Sequence, residues 1–186
     1  MLPALRDKYE DCIVWVDCMS TVLFPSRSDG SLHKLLAGAG AGFLATVPMS
    51  VAMLIGWRLL PKREKYHLPP RLITEEISER AGIEKRLDEN ELIGLTVLSH
   101  FGFGALAGAL YALFGSRLRI HPSLKGALSG VAVWIGSYLG WVPAMDILPP
   151  ATRHPWRRNL LMMIAHVIWG VTLGEVTGKL TATKWK

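Results

Sequence analysis

Apolar residues along this chain fall in uninterrupted blocks, not in the alternation or one-sided stripe of a soluble domain. Four windows stand out: Leu35 to Trp57, Leu92 to Phe114, Gly126 to Leu148 and Leu160 to Leu180. A helix of about 20 apolar residues crosses roughly 30 Å of hydrocarbon, and each window comes close to that length or exceeds it. The first contains no Asp, Glu, Lys, Arg or His, the second only His100, the third only Asp146 near its end, and the fourth His166, Glu175 and Lys179. The pattern predicts an all-α integral membrane protein, a four-helix bundle with four transmembrane helices.

Between the windows the chain is polar. Residues 58–91 form a long connection in which Leu72, Ile73 and Ile77 recur at near-helical spacing ahead of Gly82. That spacing predicts an amphipathic helix over Arg71 to Arg80, lying on the membrane surface. Asp88 followed by Glu91 has the form of a capping box, so the second membrane helix is expected to begin there. Residues 1–32 read as an interfacial segment. The apolar stretch Cys12 to Phe24 is too short to span and Pro25 ends it; Asp17 within it and the mixed-charge rather than basic start argue against a cleavable signal peptide.

The two halves resemble one another. His33, Gly38 and Gly42 precede or open the first window, and His121, Gly126 and Gly130 repeat that spacing at the third. His100, Gly104 and Gly108 lie in the second, and His166, Gly170 and Gly174 match them in the fourth; Leu68-Pro69-Pro70 and Leu148-Pro149-Pro150 occupy the corresponding connections. This predicts two tandem, parallel helical-hairpin repeats, residues 33–115 and 116–186. Gly38, Gly42, Gly104, Gly108, Gly126, Gly130, Gly170 and Gly174 are then helix-packing positions, because in lipid small residues at i and i+4 let backbones approach where apolar burial drives little association.

Polar groups inside spans are costly and default to the protein interior. His100 and His166 are therefore the candidate relay or cofactor-binding residues. Three roles compete for them: hydrogen bonds to a neighbouring helix, with Thr46, Ser50, Thr96, Ser99, Ser129 and Ser137 as possible partners; a proton or solute pathway; or ligation of a haem or pigment. Glu175 and Lys179, four apart, suggest a local ion pair. Pro48 and Pro143 each remove a helix hydrogen bond inside a span, a device that transporters use to build sites. Trp57, Trp141, Trp156 and Trp185 fall near span ends as interfacial anchors, whereas Trp134 and Trp169 lie within spans as packing residues.

The formal charge of +6 would suggest nucleic acid in a soluble protein, but here Lys and Arg flank apolar spans, as lipid headgroups favour. Ten of them lie on the side holding the termini and the middle loop and eleven on the other, so orientation is undecided. Cys12 and Cys18 lack metal or redox spacing. No GxSxG, HExxH, phosphate loop or dinucleotide fingerprint occurs, so no catalytic or metal-binding residue is assigned and no enzyme activity or resident cofactor is expected.

The Gly-rich first span, the loop reading Leu68-Pro69-Pro70-Arg71 with Thr74-Glu75, and the run His100-Phe101-Gly102-Phe103-Gly104 resemble small uncharacterised bacterial inner-membrane proteins with four Gly-rich helices, including a family tied to acid resistance. The resemblance implies a multi-pass protein of the bacterial inner membrane and assigns no functional residue. The leading functional expectation is a non-enzymatic accessory or scaffold subunit of a membrane complex, or a homo-oligomer, with the bilayer and other membrane subunits as partners. The alternative is a small transporter or proton-conducting protein using His100 and His166, and a haem or pigment carrier comes third.

Overall fold

The computed structural model describes residues 28–114 and 120–182, and the elements found among them are helices. The expected interfacial segment within residues 1–32 falls almost entirely outside them. The chain divides into two compact units, Met1–His33 and Lys34–Lys186, and the account below concerns the second. Helix α1 spans Ser28–Leu59, α2 Pro69–Arg80, α3 Glu89–Phe114, α4 Pro122–Ala144 and α5 Trp156–Ala182. Four of these, all but α2, are long and apolar enough to cross a membrane.

Local chemistry sets the boundaries. Helix α2 begins at Pro69, whose fixed φ and missing N–H suit a first helical turn, and ends before Gly82, which takes a φ of +69°. Helix α3 begins on the capping box: the Glu91 amide donates to Asp88 Oδ1 at 2.8 Å and the Asp88 amide to Glu91 Oε2 at 2.9 Å. Helix α1 continues through Pro48. Helix α4 widens into a π-helical stretch over Gly136–Trp141, where Gly140 leaves helical geometry at φ −108° and ψ −109°, just ahead of Pro143.

Helices α1 and α5 are the inner pair. Within their most apolar windows 39% and 44% of residues are buried, against 11% in α3 and 17% in α4, so the outer pair presents most of its surface to the surroundings. Ala41, Ala45, Met49 and Met53 of α1 pack on Met162, Ala165, Trp169 and Leu173 of α5. The Trp169 indole crosses this seam and donates to the Gly42 carbonyl oxygen at 3.1 Å, satisfying a polar atom that apolar surroundings would otherwise penalise.

Helix α2 forms where the spacing predicts a helix and starts two residues before Arg71. Thr74 and Ser78 are its buried side chains beyond Pro69, and Thr74 Oγ1 lies 3.3 Å from Ser99 Oγ of α3. Leu72 faces a small cavity beside Tyr138, Leu148 and Arg158. One face of the helix therefore packs against the spans, chiefly α3. Thr74 finds a hydroxyl neighbour there, whereas the buried Ser78 Oγ has no hydrogen-bond partner among the described residues.

Candidate functional site

The glycines fix where the spans touch. A Cβ on Gly42 would stand 2.9 Å from Gly108 Cα, and one on Gly108 would stand 2.8 Å from Gly42 Cα, so α1 and α3 meet backbone to backbone; Gly38 and Gly104 belong to the same contact. In the second hairpin a Cβ on Gly130 would lie 3.3 Å from Gly170 Cα and one on Gly174 3.3 Å from Gly126 Cα, which joins α4 to α5. All eight candidate packing glycines face another of the eight or a backbone carbonyl within their own hairpin, so a side chain at any of them would force the helices apart.

Toward the interhelical loops the spans leave room between them, and the space holds α2 and a cavity of about 220 Å³. Helix α2 lies across its loop end with Pro69, Pro70, Ile73 and Ile77. Thr46 and Gly104, which line the opposite end, belong to the α1–α3 contact, where a Cβ on Gly104 would overlap Thr46 Oγ1. His100 of α3 and His166 of α5 line this one cavity together, as do Ser137 and Tyr138 from the widened part of α4. The wider turn rotates Ser137 and Tyr138 relative to a regular helix, and the Tyr138 ring meets the His166 ring edge-on, with centroids 5.9 Å apart.

The hydroxyls proposed as histidine partners are mostly committed elsewhere. Thr46, Thr96 and Ser129 each donate to the carbonyl four residues back on their own helix. His166 Nδ1 lies 2.7 Å from the Met162 carbonyl oxygen, also on its own helix, so it donates there. That bond fixes the tautomer and leaves Nε2 as an acceptor. His100 Nε2 is buried and has no hydrogen-bond partner. An unpaired ring nitrogen beside an apolar cavity is costly unless a ligand completes it. Among the described residues no three His, Cys, Asp or Glu side chains gather as for a metal ion. Glu175, outside this cavity, accepts a hydrogen bond from the Ser123 hydroxyl of α4.

Arginines hold the loop end together. Arg158, 3% exposed at the start of α5, donates to the carbonyls of Glu64, Tyr66 and His67 at 2.9, 3.1 and 2.9 Å, and its guanidinium lies 3.5 Å from the Tyr66 ring centroid. Tyr66 Oη in turn lies 2.8 Å from His154 Nδ1, and His154 Nε2 lies 3.2 Å from the Pro149 carbonyl oxygen. A neutral His154 serves both, donating from Nε2 and accepting at Nδ1. Its pKa is lowered chiefly by burial; the Pro149 carbonyl opposes this and the Arg158 charge adds to it. Arg80 donates to the Met145 and Asp146 carbonyls, both at 2.7 Å, closing the end of α4 where Asp146 takes a φ of +54°. Arg71 forks onto Glu89 at 2.6 and 2.9 Å and bonds Glu75 at 2.7 Å; these partners, Glu89 first, raise its pKa above the ordinary value. Sequence reasoning assigned none of Arg71, Arg80, Arg158 or Tyr138 a role, because Lys and Arg beside a span read as headgroup contacts whatever they actually touch.

With this geometry in view, the comparisons with known proteins add one relation. The family described as "Protein of unknown function (DUF1440)" matches residues 48–174, more than half of the chain, and the chain belongs to that family. No curated protein and no solved structure matches it.

Proposed function

We propose that this multi-pass membrane protein of the DUF1440 family handles a small molecule, in the manner of a small transporter, and that the cavity between its spans is the working site. The observation that carries the reading is the meeting of His100 and His166, from different hairpins, on one cavity at mid-span. Intramembrane imidazoles are retained at a cost, and a shared cavity gives them a common purpose. Proton conduction is the less favoured form. His100, His166 and Tyr138 are the titratable groups lining the cavity, and a conducting path would need such groups onward to both membrane faces.

The accessory-subunit reading rests mainly on small-residue faces, and the packing glycines are occupied within each hairpin. The sparsely buried α3 and α4 still favour it as a second reading, since they offer apolar surface to lipid or to another subunit. A haem or pigment carrier has less support, because about 220 Å³ falls below the roughly 300–1,000 Å³ of sites that enclose drug-sized ligands. The resemblance to inner-membrane proteins supports a bacterial inner membrane as the location.

The test is flux. Proteoliposomes carrying the wild type should pass protons or one of a panel of small neutral solutes faster than empty vesicles, and His100→Ala with His166→Ala should abolish the excess. An equal leak from both proteins would remove the proposal.

A further inference from the structure

The cavity is covered along the helix axes and is flanked sideways by two grooves that share lining residues with it. Helix α2 lies over one end and the glycine contacts close the other. On one flank of α3 a groove of about 350 Å³ runs between α1 and α3, and it shares Met53, Pro70 and His100 with the cavity. Its outer edge is made by Leu54 and Val97, which are 55% and 51% exposed on the surface that faces lipid. On the other flank a groove of about 480 Å³ between α3 and α4 shares Phe103, Ser137 and Trp169 with the cavity.

The chemistry of the space is as specific as its openings. Among the described residues no Asp, Glu, Lys or Arg lines the central cavity. A charged solute would give up its hydration there without a counter-charge, at a cost of several kcal/mol. Arg71, at the loop end of the α1–α3 groove, already holds two carboxylates, Glu75 and Glu89, and so offers no net positive charge to an anion. The walls are largely methionine, isoleucine, proline and aromatic side chains, and among the described residues His100 Nε2, shared by groove and cavity, is unpartnered, as is Ser50 Oγ on the groove.

Resting on the small-molecule reading above, we propose that the ligand is a neutral amphiphile dissolved in the bilayer: a hydroxyl or carbonyl head that completes His100 Nε2, on an apolar body that arrives sideways through the α1–α3 groove. An imidazole nitrogen serves either head, donating to a carbonyl or accepting from a hydroxyl according to tautomer.

Nanodisc-embedded full-length protein tests this with a bromine-tagged long-chain alcohol and with the carboxylate and quaternary ammonium of the same chain. Bromine quenches indoles on contact, and Trp141 and Trp169 line the cavity. The alcohol should quench saturably above the lipid background, with about tenfold weaker binding in His100→Leu, the equivalent of one hydrogen bond of about 1.4 kcal/mol. The two charged probes should give background quenching alone. Val97→Phe, a lipid-facing change that leaves the cavity intact, should slow the onset of quenching without changing its extent. Saturable quenching by a charged probe overturns the proposal, and so does alcohol binding indifferent to both variants. If the alcohol never saturates while a histidine-dependent solute flux persists, this inference fails and the small-molecule reading stands; if both are missing, both fail.

Discussion

The two ends of the four-span bundle are held by different forces. At the glycine end, α1 meets α3 and α4 meets α5 with no side chain between backbones, as the 2.9 Å approach of a hypothetical Gly42 Cβ to Gly108 Cα records. At the loop end the chain is irregular, and three arginines bind carbonyls or carboxylates drawn from both connections. The difference follows from solvent. Within hydrocarbon, helices gain little from hiding apolar surface, so close dispersion contact is what associates them. Near the membrane's edge, non-helical carbonyls must be satisfied, and a fork of N–H donors does so economically. The cavity lies between the two regimes, where the glycines no longer hold the spans together and α2 fills part of the gap.

The largest test of the comparison is Gly130→Leu. Its side chain would enter the His166 carbonyl and the Gly170 backbone, where neither neighbour can give way. Destabilisation should exceed about 3 kcal/mol, at or beyond the upper end of overpacking effects, and should show as loss of a folded, monodisperse species in mild detergent. Gly102→Leu has nothing within 4 Å to meet and should be tolerated, which makes it the control.

Arg158→Met at the other end leaves the Glu64 and His67 carbonyls without a donor, while the Tyr66 carbonyl keeps the Trp57 indole, at a cost of about 2–3 kcal/mol. Thermal unfolding should register it, and hydrogen exchange should localise the loss to residues 60–68 and the start of α5 while the glycine contacts stay protected. Arg158→Lys should recover only part of the loss, since an ammonium cannot reproduce the guanidinium fork.

A pH titration sharpens the comparison with a smaller effect. The folded pKa of His154 lies below its unfolded value, so the native staple needs the neutral ring. Its stability is complete above the ordinary histidine pKa of about 6.5 and declines as pH falls through that value, until the folded pKa is reached. Loop protection should therefore fall below about pH 6 in the wild type and lose that dependence in His154→Gln. Protection around Gly126–Gly130 should not move.

The smallest change is Asp88→Ala, which breaks the reciprocal capping box at the start of α3. About 1 kcal/mol is expected, read as faster exchange of the first-turn amides of α3, without effect on cavity ligand binding.

Much of this was legible beforehand because it is local. Uninterrupted apolar length marks a span, Asp88 and Glu91 three apart mark a helix start, and Gly82 marks the end of α2, though the spacing misses its start at Pro69. Glycines at i and i+4 announce a close contact, but spacing alone does not name the opposing helix. The site was legible only in part. His100 and His166 stand out as imidazoles in apolar windows, but Tyr138 enters through a widened turn, and nothing local distinguishes Arg158, which binds three carbonyls, from Arg157, which is 45% exposed and only 3.8 Å from Glu64.

The sequence by itself determined that the chain has four helices long and apolar enough to cross a membrane, where the second of them begins and which polar groups fall within them, since length, hydropathy and capping act between residues a few positions apart. Tertiary structure alone decided that the four glycine pairs are used within their own hairpins, that α2 packs on the spans and lines the cavity, and that His100 and His166 share that cavity. Those outcomes depend on groups separated by tens of residues, such as Arg158 and the Glu64 carbonyl, whose meeting is set by helix rotation and crossing geometry and leaves no pattern at short range.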